Sequence, residues 1–400
     1  MLKIGLIREG KIPSDNRVAL TPDQCKWLNE SGVAEVVVQY SAHRCFPDKE
    51  YIGAGVQVTE DVSGCDVLVG IKEVPVQDLV PRKTYLFFSH TKKEQPHNRK
   101  LLQAIIEKEI TLIDFECMEH EDGQRIIGFG FFAGIVGAHN GMMAYGRRTN
   151  SFSLERVYQQ KDFRSLIHSY FGLKLPNIKV AVTGSGRVAH GVTEVLNLMG
   201  LIEVEKEEFV DKEFTYPVYV QLKGSDLYTH KEKGTYNRDH FHQSPELYRS
   251  KFGPYLNKAD ILMNGVYWDK NMPRLFEREE IQSRDFRISV IADITDDPFG
   301  SVPINLEDGT IENPVYGVDR NDFRKTAPHL PHSIDIMAVG NLPNELPKDA
   351  SRYFGEQLIK HILPDLISGQ HSRVIEKATI VKRGQLSTDY EYLRNYAQGL

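Results

Sequence analysis

Residues 179–191 read KVAVTGSGRVAHG. The apolar run Val180–Val182 leads straight into Gly184-Ser185-Gly186. Beyond it, Val188, Val192, Val195, Leu196 and Met199 recur at helical spacing. A strand that enters a helix through Gly-x-Gly has a specific physical use. The first glycine permits the tight turn, and the second lets the backbone approach a pyrophosphate. The helix start then directs its free N–H groups and positive end at the phosphates. Ala189 fills the third, small-residue position. Gly-x-Gly-x-x-Ala alone is a weak signal; the strand before it and the helix after it make it strong. The expectation is a dinucleotide turn built from Gly184, Ser185, Gly186, Arg187 and Val188.

An acidic residue about 20 positions on should hold the adenine ribose. Glu203 and Glu205, in LIEVEKEEF, are in range, and a carboxylate there would repel a 2′-phosphate. Lys206 beside them argues the other way, so NAD and NADP both stay open. Further strands are expected at Ile261–Val266 and Ile288–Ile294, which bring Val266 and Asp293 toward the cofactor and Asp297 toward the nicotinamide. Residues 205–258 are polar, charged and tyrosine-rich and read as an insertion.

Upstream, short apolar runs rich in β-branched and aromatic residues occur at Ile4–Ile7, Val33–Val38, Val67–Ile71, Tyr85–Phe88 and Ile110–Ile113. Helix signals separate them, among them Thr21-Pro22 as cap and first residue, and the apolar stripe of Asn98–Glu109. Strands alternating with helices imply a parallel α/β sheet. The glycine-rich stretch Gly128–Gly146 reads as a closely packed helix joining two domains. A helix near Pro347–Leu366 and a strand within Ala378–Leu386 close the chain. The fold predicted is α/β, with two Rossmann-like domains, parallel sheets and an interdomain cleft. Residues 1–134 form the first part of a substrate domain, 135–326 the dinucleotide domain, and 327–400 complete the discontinuous first domain.

The 400 residues carry a net charge of −6, with ordinary apolar and charged content. Nothing in that balance points to nucleic acid or a membrane surface. Cys25, Cys45, Cys65 and Cys117 are scattered without a CxxC pair, which argues against a disulfide framework or a zinc site. His240-x-His242 has no patterned third ligand and reads as surface, so no metal is expected. The start, MLKIGLIREGK, has no long apolar segment, and a cytoplasmic protein is the default. A homo-oligomer is compatible with all of this.

Polar groups stand at successive strand ends of the first domain. Arg8 follows the first strand, Lys72 and Glu73 end VLVGIKE, His90 ends YLFFSH and Glu116 ends TLIDFE; Arg17 lies in the loop before Thr21. Ligands of open parallel sheets collect at those ends. Each residue alone has an ordinary surface or capping explanation; the repetition marks the set as an active cleft.

The chain resembles the alanine dehydrogenase superfamily, and within it the lysine-linked saccharopine dehydrogenases and lysine–2-oxoglutarate reductases. The resemblance covers nearly the whole chain. It is carried by RVALTP (17–22), GIKEVP (70–75), RKTYLFFSHTKKEQ (82–95), ITLIDFECM (110–118), RIIGFGFFAGIVGA (125–138), ILMNGVYWDKNMPRL (261–275), IADITDDPFGS (291–301) and NLPNELPKDAS (341–351). It implies two Rossmann-like domains and the interconversion of lysine plus 2-oxoglutarate with saccharopine through an imine and hydride transfer. It implies that Lys72 and His90 are the acid–base pair, tuned by Glu73 and Glu116. It further implies that Arg17 and Arg125 bind substrate carboxylates and that Asp297 is catalytic. Two departures stand out. Gly340 replaces an acidic residue before Asn341-Leu342-Pro343, and Lys11 is offset by one position. A simple amino-acid dehydrogenase of the alanine type shares every general feature. A dinucleotide sensor on the same fold would not need Lys72 and His90.

Overall fold

The structure is a computed structural model that describes residues 1–121, 123–368 and 372–399. The chain divides into two compact units. One joins Met1–Phe129 to Pro347–Leu400, and the other is Gly130–Leu346.

In the first unit, β1 (Lys3–Leu6), β2 (Glu35–Gln39), β3 (Gln57–Thr59), β4 (Val67–Val69), β5 (Thr84–Phe87) and β6 (Thr111–Asp114) are parallel, in the order β3-β2-β1-β4-β5-β6. The inner strands are largely buried, and short, nearly continuous apolar runs fill them. Helix Pro22–Glu30 starts at Thr21 with a capping box, in which Gln24 N donates to Thr21 Oγ1 and Thr21 N donates to Gln24 Oε1.

The second unit repeats the plan with one change. Its strands are β7 (Lys179–Thr183), β8 (Ile202–Glu203), β9 (Val218–Leu222), the hairpin β10 (Tyr228–His230) and β11 (Tyr248–Ser250), β12 (Ile261–Asn264), β13 (Val290–Asp293), β14 (Val315–Asp319), β15 (Lys325–Thr326) and β16 (Ser333–Met337). The main sheet runs β15-β14-β16-β13-β12-β7-β9-β8. Two expectations are corrected here. Residues 205–258 are not wholly an insertion outside the sheet, because β9 lies within them and pairs in parallel with β7. VYVQL is apolar enough for an inner position, whereas the two-residue β8 is exposed and stays at the edge. Residues 327–346 stay with the second unit, because β16 pairs with β13 and β14. The C-terminal strands β17 (Thr379–Lys382) and β18 (Gln385–Leu386) extend the first sheet antiparallel beyond β6.

Helix Gly130–Thr149 packs on helix Arg187–Leu198 at backbone contact. A Cβ on Gly134 would overlap the Val188 carbonyl, and one on Gly191 would overlap the Phe131 carbonyl. The next turns of the same helix lie on β13, where Gly137 and Gly141 meet Ile294 and Ala292. The glycine-rich stretch is therefore a packing face. Among the described residues no helix is long and apolar enough to cross a membrane. Gly134→Ala is expected to destabilise the protein by about 3 kcal/mol or more through overpacking. A thermal unfolding midpoint unchanged from wild type would contradict this packing.

Candidate dinucleotide turn and acid–base site

The order of the first sheet reverses between β1 and β4, so the loops leaving those two strands diverge and leave a crevice at their carboxyl ends. Glu9, after β1, spans it. Its carboxylate accepts from Ile71 N at 2.6 Å and Lys72 N at 2.8 Å. Burial, then the charge of Asp15, pushes the Glu9 carboxyl up to about 8. Lys72 follows β4 directly. Burial, then the neighbouring Arg17 charge, lowers its ammonium to about 8, so either protonation state is accessible near neutral pH.

Arg17 is bound by the chain's own carboxylate. Its Nε and Nη2 donate to Asp15 at 3.0 and 2.6 Å, and the two side chains are 3% and 1% exposed. Burial alone would raise the Asp15 carboxyl; the charge and hydrogen bonds of Arg17 outweigh it and bring it to about 2. The guanidinium lies 4.1 Å from the Phe129 ring centroid. Phe129 in turn stacks on Phe354, at 4.6 Å, from helix Pro347–Gln357. Val18 N donates to Ser351 Oγ of that helix. The returning C-terminal segment thus holds the loop that carries Arg17.

His90 follows β5 in a left-handed conformation (φ 53°) and stacks beside Phe88. Its Nδ1 lies 2.6 Å from Glu73 Oε1, and Lys11 Nζ lies 2.8 Å from Glu73 Oε2. Burial would raise the Glu73 carboxyl, but the hydrogen bond and charge of His90, with Lys11, bring it to about 2. An ionised carboxylate only accepts, so Nδ1 carries a proton, and in the neutral form of the ring the lone pair is the one at Nε2. Glu116, after β6, is bound by Arg125 at 2.7 Å, with Lys93 at 3.5 Å. These cations outweigh burial and hold its carboxyl below the usual range. Asp114 beside it accepts from Ser89 Oγ and Ser89 N and fixes the turn that carries His90.

In the second unit, Gly184 has φ +103°, and a Cβ on it would lie 2.8 Å from the Gly265 carbonyl oxygen and 3.3 Å from Val266 N. Only glycine suits that conformation and that approach. Val266 is thereby placed beside the turn. Ser185 and Gly186 are exposed, and a Cβ on Gly186 would meet nothing within 4 Å. No side chain caps helix Arg187–Leu198 at Gly186, and Ser185 and Gly186 leave the approach to its start exposed. Glycines and an uncapped helix start of this kind fit a pyrophosphate.

Asp293, expected to contact the cofactor, is instead 1% exposed. Its oxygens accept from Asn264 and Asn305, each at 2.8 Å, and Asn264 also accepts from Thr183 Oγ1. Burial raises its carboxyl to about 6 despite these bonds. It ties together the ends of β7, β12 and β13. Asp297 is half-buried in the turn after β13, where its carbonyl accepts from Gly300 N. Glu203 and Glu205 do not reach the turn. Glu203, on the edge strand, is in register with Tyr219, and Glu205 stands just before helix Lys206–Asp211 without a side-chain bond to it. Asp15, Glu9, Asn264 and Asn305 were not singled out in the sequence. Only the spacing of Asp15 two residues before Arg17 carried a hint.

Residues 5–136 match the family model described as "Alanine dehydrogenase/PNT, N-terminal domain". The chain is 30% identical over 445 residues to the mitochondrial alpha-aminoadipic semialdehyde synthase of Rattus norvegicus, a match covering 98% of this chain and 47% of that protein. It is 26% identical over 388 residues to the saccharopine dehydrogenase [NAD(+), L-lysine-forming] of Emericella nidulans, covering 94% of this chain and 95% of that one. Over nearly its whole length the chain is thus similar to semialdehyde synthases and saccharopine dehydrogenases, and its first third matches the alanine dehydrogenase family model. It spans about half the length of the semialdehyde synthases it matches. An L-alanine dehydrogenase shares the fold, with TM-score 0.65 and 17% identity over 98% of this chain and 99% of the other. A transhydrogenase from Sinorhizobium meliloti shares it at TM-score 0.59 and 16% identity, over 96% and 98% of the two chains.

Gly340 departs from the pattern expected for saccharopine dehydrogenases, and its surroundings explain the exchange. A Cβ there would lie 3.0 Å from Asp296 Oδ2 and 3.5 Å from Asp308 Oδ2. Burial, then a shared hydrogen bond with Asp308, pushes the Asp296 carboxyl up to about 9. An acidic side chain at 340 would add a third carboxyl to that pair; glycine avoids the crowding and the repulsion.

Two outcomes follow from this geometry. The Glu73 carboxylate, held at about 2 against 4.5 ordinarily, stabilises the fold by about 3 kcal/mol above pH ~4.5, and the contribution is lost as pH falls toward 2. Glu73→Gln is therefore expected to unfold earlier than wild type at pH 7, with the gap closing between pH 4.5 and 2; a gap constant across that range argues against the ionised carboxylate. Gly186→Val is expected to fold, at a cost of about 1 kcal/mol for a poorer helix N-cap, and to weaken dinucleotide binding at least about tenfold, read by calorimetric titration.

Proposed function

We propose that this chain is an oxidoreductase acting on a CH–NH group, interconverting lysine plus 2-oxoglutarate with saccharopine. The observation that carries the reading is the placement of Lys72, with its lowered pKa, at the switch point of one sheet together with the Glu73–His90 pair. Imine chemistry needs proton transfers near neutral pH at both the nitrogen and the departing oxygen. Support also comes from the match to a saccharopine dehydrogenase along nearly the full length of both chains.

The lysine ε-amine adds to the ketone carbon of 2-oxoglutarate. His90 Nε2 takes the proton that the nitrogen sheds and returns it to the former carbonyl oxygen, giving the carbinolamine hydroxyl. Lys72, as ammonium, gives a proton to the hydroxyl that leaves as water, and the resulting imine carbon is reduced. A bound nicotinamide dinucleotide supplies that hydride, or takes it up in reverse. Gly184, Ser185, Gly186, Arg187, Val188 and Val266 would hold it. In the oxidative direction Lys72 works as the neutral amine, and the water that attacks the imine gives up its proton there. Arg17 is paired internally with Asp15, so it serves first as the fixed charge that lowers Lys72. Lys11 and Arg125, 37% and 42% exposed, are the more open cations for substrate carboxylates. Asp297 is proposed to act beside the nicotinamide.

The second reading is oxidative deamination of a small amino acid, favoured by the description of the matched N-terminal family model. A spectrophotometric assay separates the two: lysine plus 2-oxoglutarate against pyruvate plus ammonia, each with NADH and NADPH. Turnover of the first pair alone is expected. Lys72→Met and His90→Gln should each lower kcat about 100-fold or more. Saccharopine oxidation should rise as pH passes about 8, where Lys72 loses its proton. Turnover of only pyruvate and ammonia, or full activity in the double variant, would overturn the assignment.

A further inference from the structure

In a doubly wound sheet, the residue that selects between ribose 2′-hydroxyl and 2′-phosphate follows the strand beside the one that carries the glycine turn. By sequence order that strand would be β8, and its acids would be Glu203 and Glu205. In this chain β9 lies between β8 and β7. Thr183 of β7 is in register with Leu222 of β9, and Gly184 N donates to the Leu222 carbonyl at 2.8 Å. Gln221 Nε2 returns a hydrogen bond to the Gly184 carbonyl at 3.0 Å. The end of β9 is therefore fastened to the glycine turn itself. The residue that follows it is Lys223, and it is exposed.

Glu203 is excluded by position. It is in register with Tyr219, three residues below Leu222, which at strand spacing puts it about 10 Å from the carboxyl edge. It is also one strand further out, about 5 Å beyond β9. Its carboxylate instead accepts from Tyr219 Oη at 3.3 Å. Glu205 lies beyond the end of the outer strand. The one acid in the turn after β9, Asp226, is already engaged. Its Oδ2 accepts from Lys223 N at 3.0 Å, and its Oδ1 pairs with Lys206 Nζ at 2.7 Å. Among the described residues the Lys223 ammonium makes no ion pair, and Lys251 Nζ brings a second positive charge to the turn, donating to the Ser225 carbonyl at 3.2 Å. The exposed Ser225 hydroxyl stands two residues on.

We propose that Lys223, with Ser225, is the coenzyme-selecting site, and that this chain takes the 2′-phosphorylated dinucleotide, NADP(H). The inference rests on the dehydrogenase reading above. It sets this chain apart from the fungal relative, whose name carries NAD(+).

The test is direct binding of NADPH and NADH to the full chain without amino-acid substrates, by calorimetry and by the change in reduced-nicotinamide fluorescence. NADPH is expected to bind about tenfold or more tightly than NADH, the scale of a charge-assisted hydrogen bond. Lys223→Asp should reverse that ratio, Lys223→Arg should keep it, and Glu203→Gln should leave it where it was. NADH bound as tightly as NADPH, or a ratio that follows Glu203 and ignores Lys223, overturns the coenzyme inference and leaves the dehydrogenase reading intact. Binding of neither dinucleotide overturns both.

Discussion

In each unit the order of parallel strands turns around at one pair, β1 with β4 in the first sheet and β7 with β12 in the second. The chain crosses over in opposite directions on either side of such a pair, so the loops at its carboxyl edge must part. The candidate groups at those two edges take their positions from that constraint. Glu9 and Lys72 occupy the edge of the first sheet, and Gly184 and Val266 that of the second. The loops are then held by polar contacts made across each gap. Glu9 accepts two amide protons from the start of the Lys72 loop. Asn264 bridges Thr183 and Asp293.

Electrostatics at the first edge follow from burial compensated in pairs. Asp15 neutralises Arg17, and Glu73 binds both His90 and Lys11. Lys72 is the cation whose balance tips the other way, because burial and the nearby guanidinium together outweigh its acidic neighbours. Lys72 and the Glu9 carboxyl that binds its amide, both brought to about 8 by burial, stand among carboxylates held well below neutrality, a contrast expected of proton-transfer chemistry. The aromatic rings of Phe88, Phe115, Phe129 and Phe354 back this edge. They keep the local dielectric low, which strengthens each of these effects.

Much of this was legible in the residues alone. The strands could be read because apolar β-branched runs of four or five residues have few other uses. The glycine turn could be read because positive φ and close backbone approach demand glycine. Lys72, Glu73, His90 and Glu116 could be placed at strand ends because each follows directly on such a run. The glycines of Gly130–Thr149 announced close packing, although not which carbonyls they would meet. These are local matters, settled by periodicity, side-chain volume and backbone freedom within a few residues.

What the residues could not settle is which segments become neighbours. VYVQL is apolar enough for an inner strand but lies in a polar stretch, and only pairing with β7 makes Lys223, rather than Glu203, the residue that follows the strand beside the glycine turn. Asp293 looks like a ligand-facing acid until the sheet closes around it. Arg17 looks like an open anion binder until Asp15 folds against it. Local sequence determined the strands, the turn and the kinds of groups at their ends. The tertiary structure decided their partners, because strand order and side-chain pairing depend on which distant surfaces bury one another.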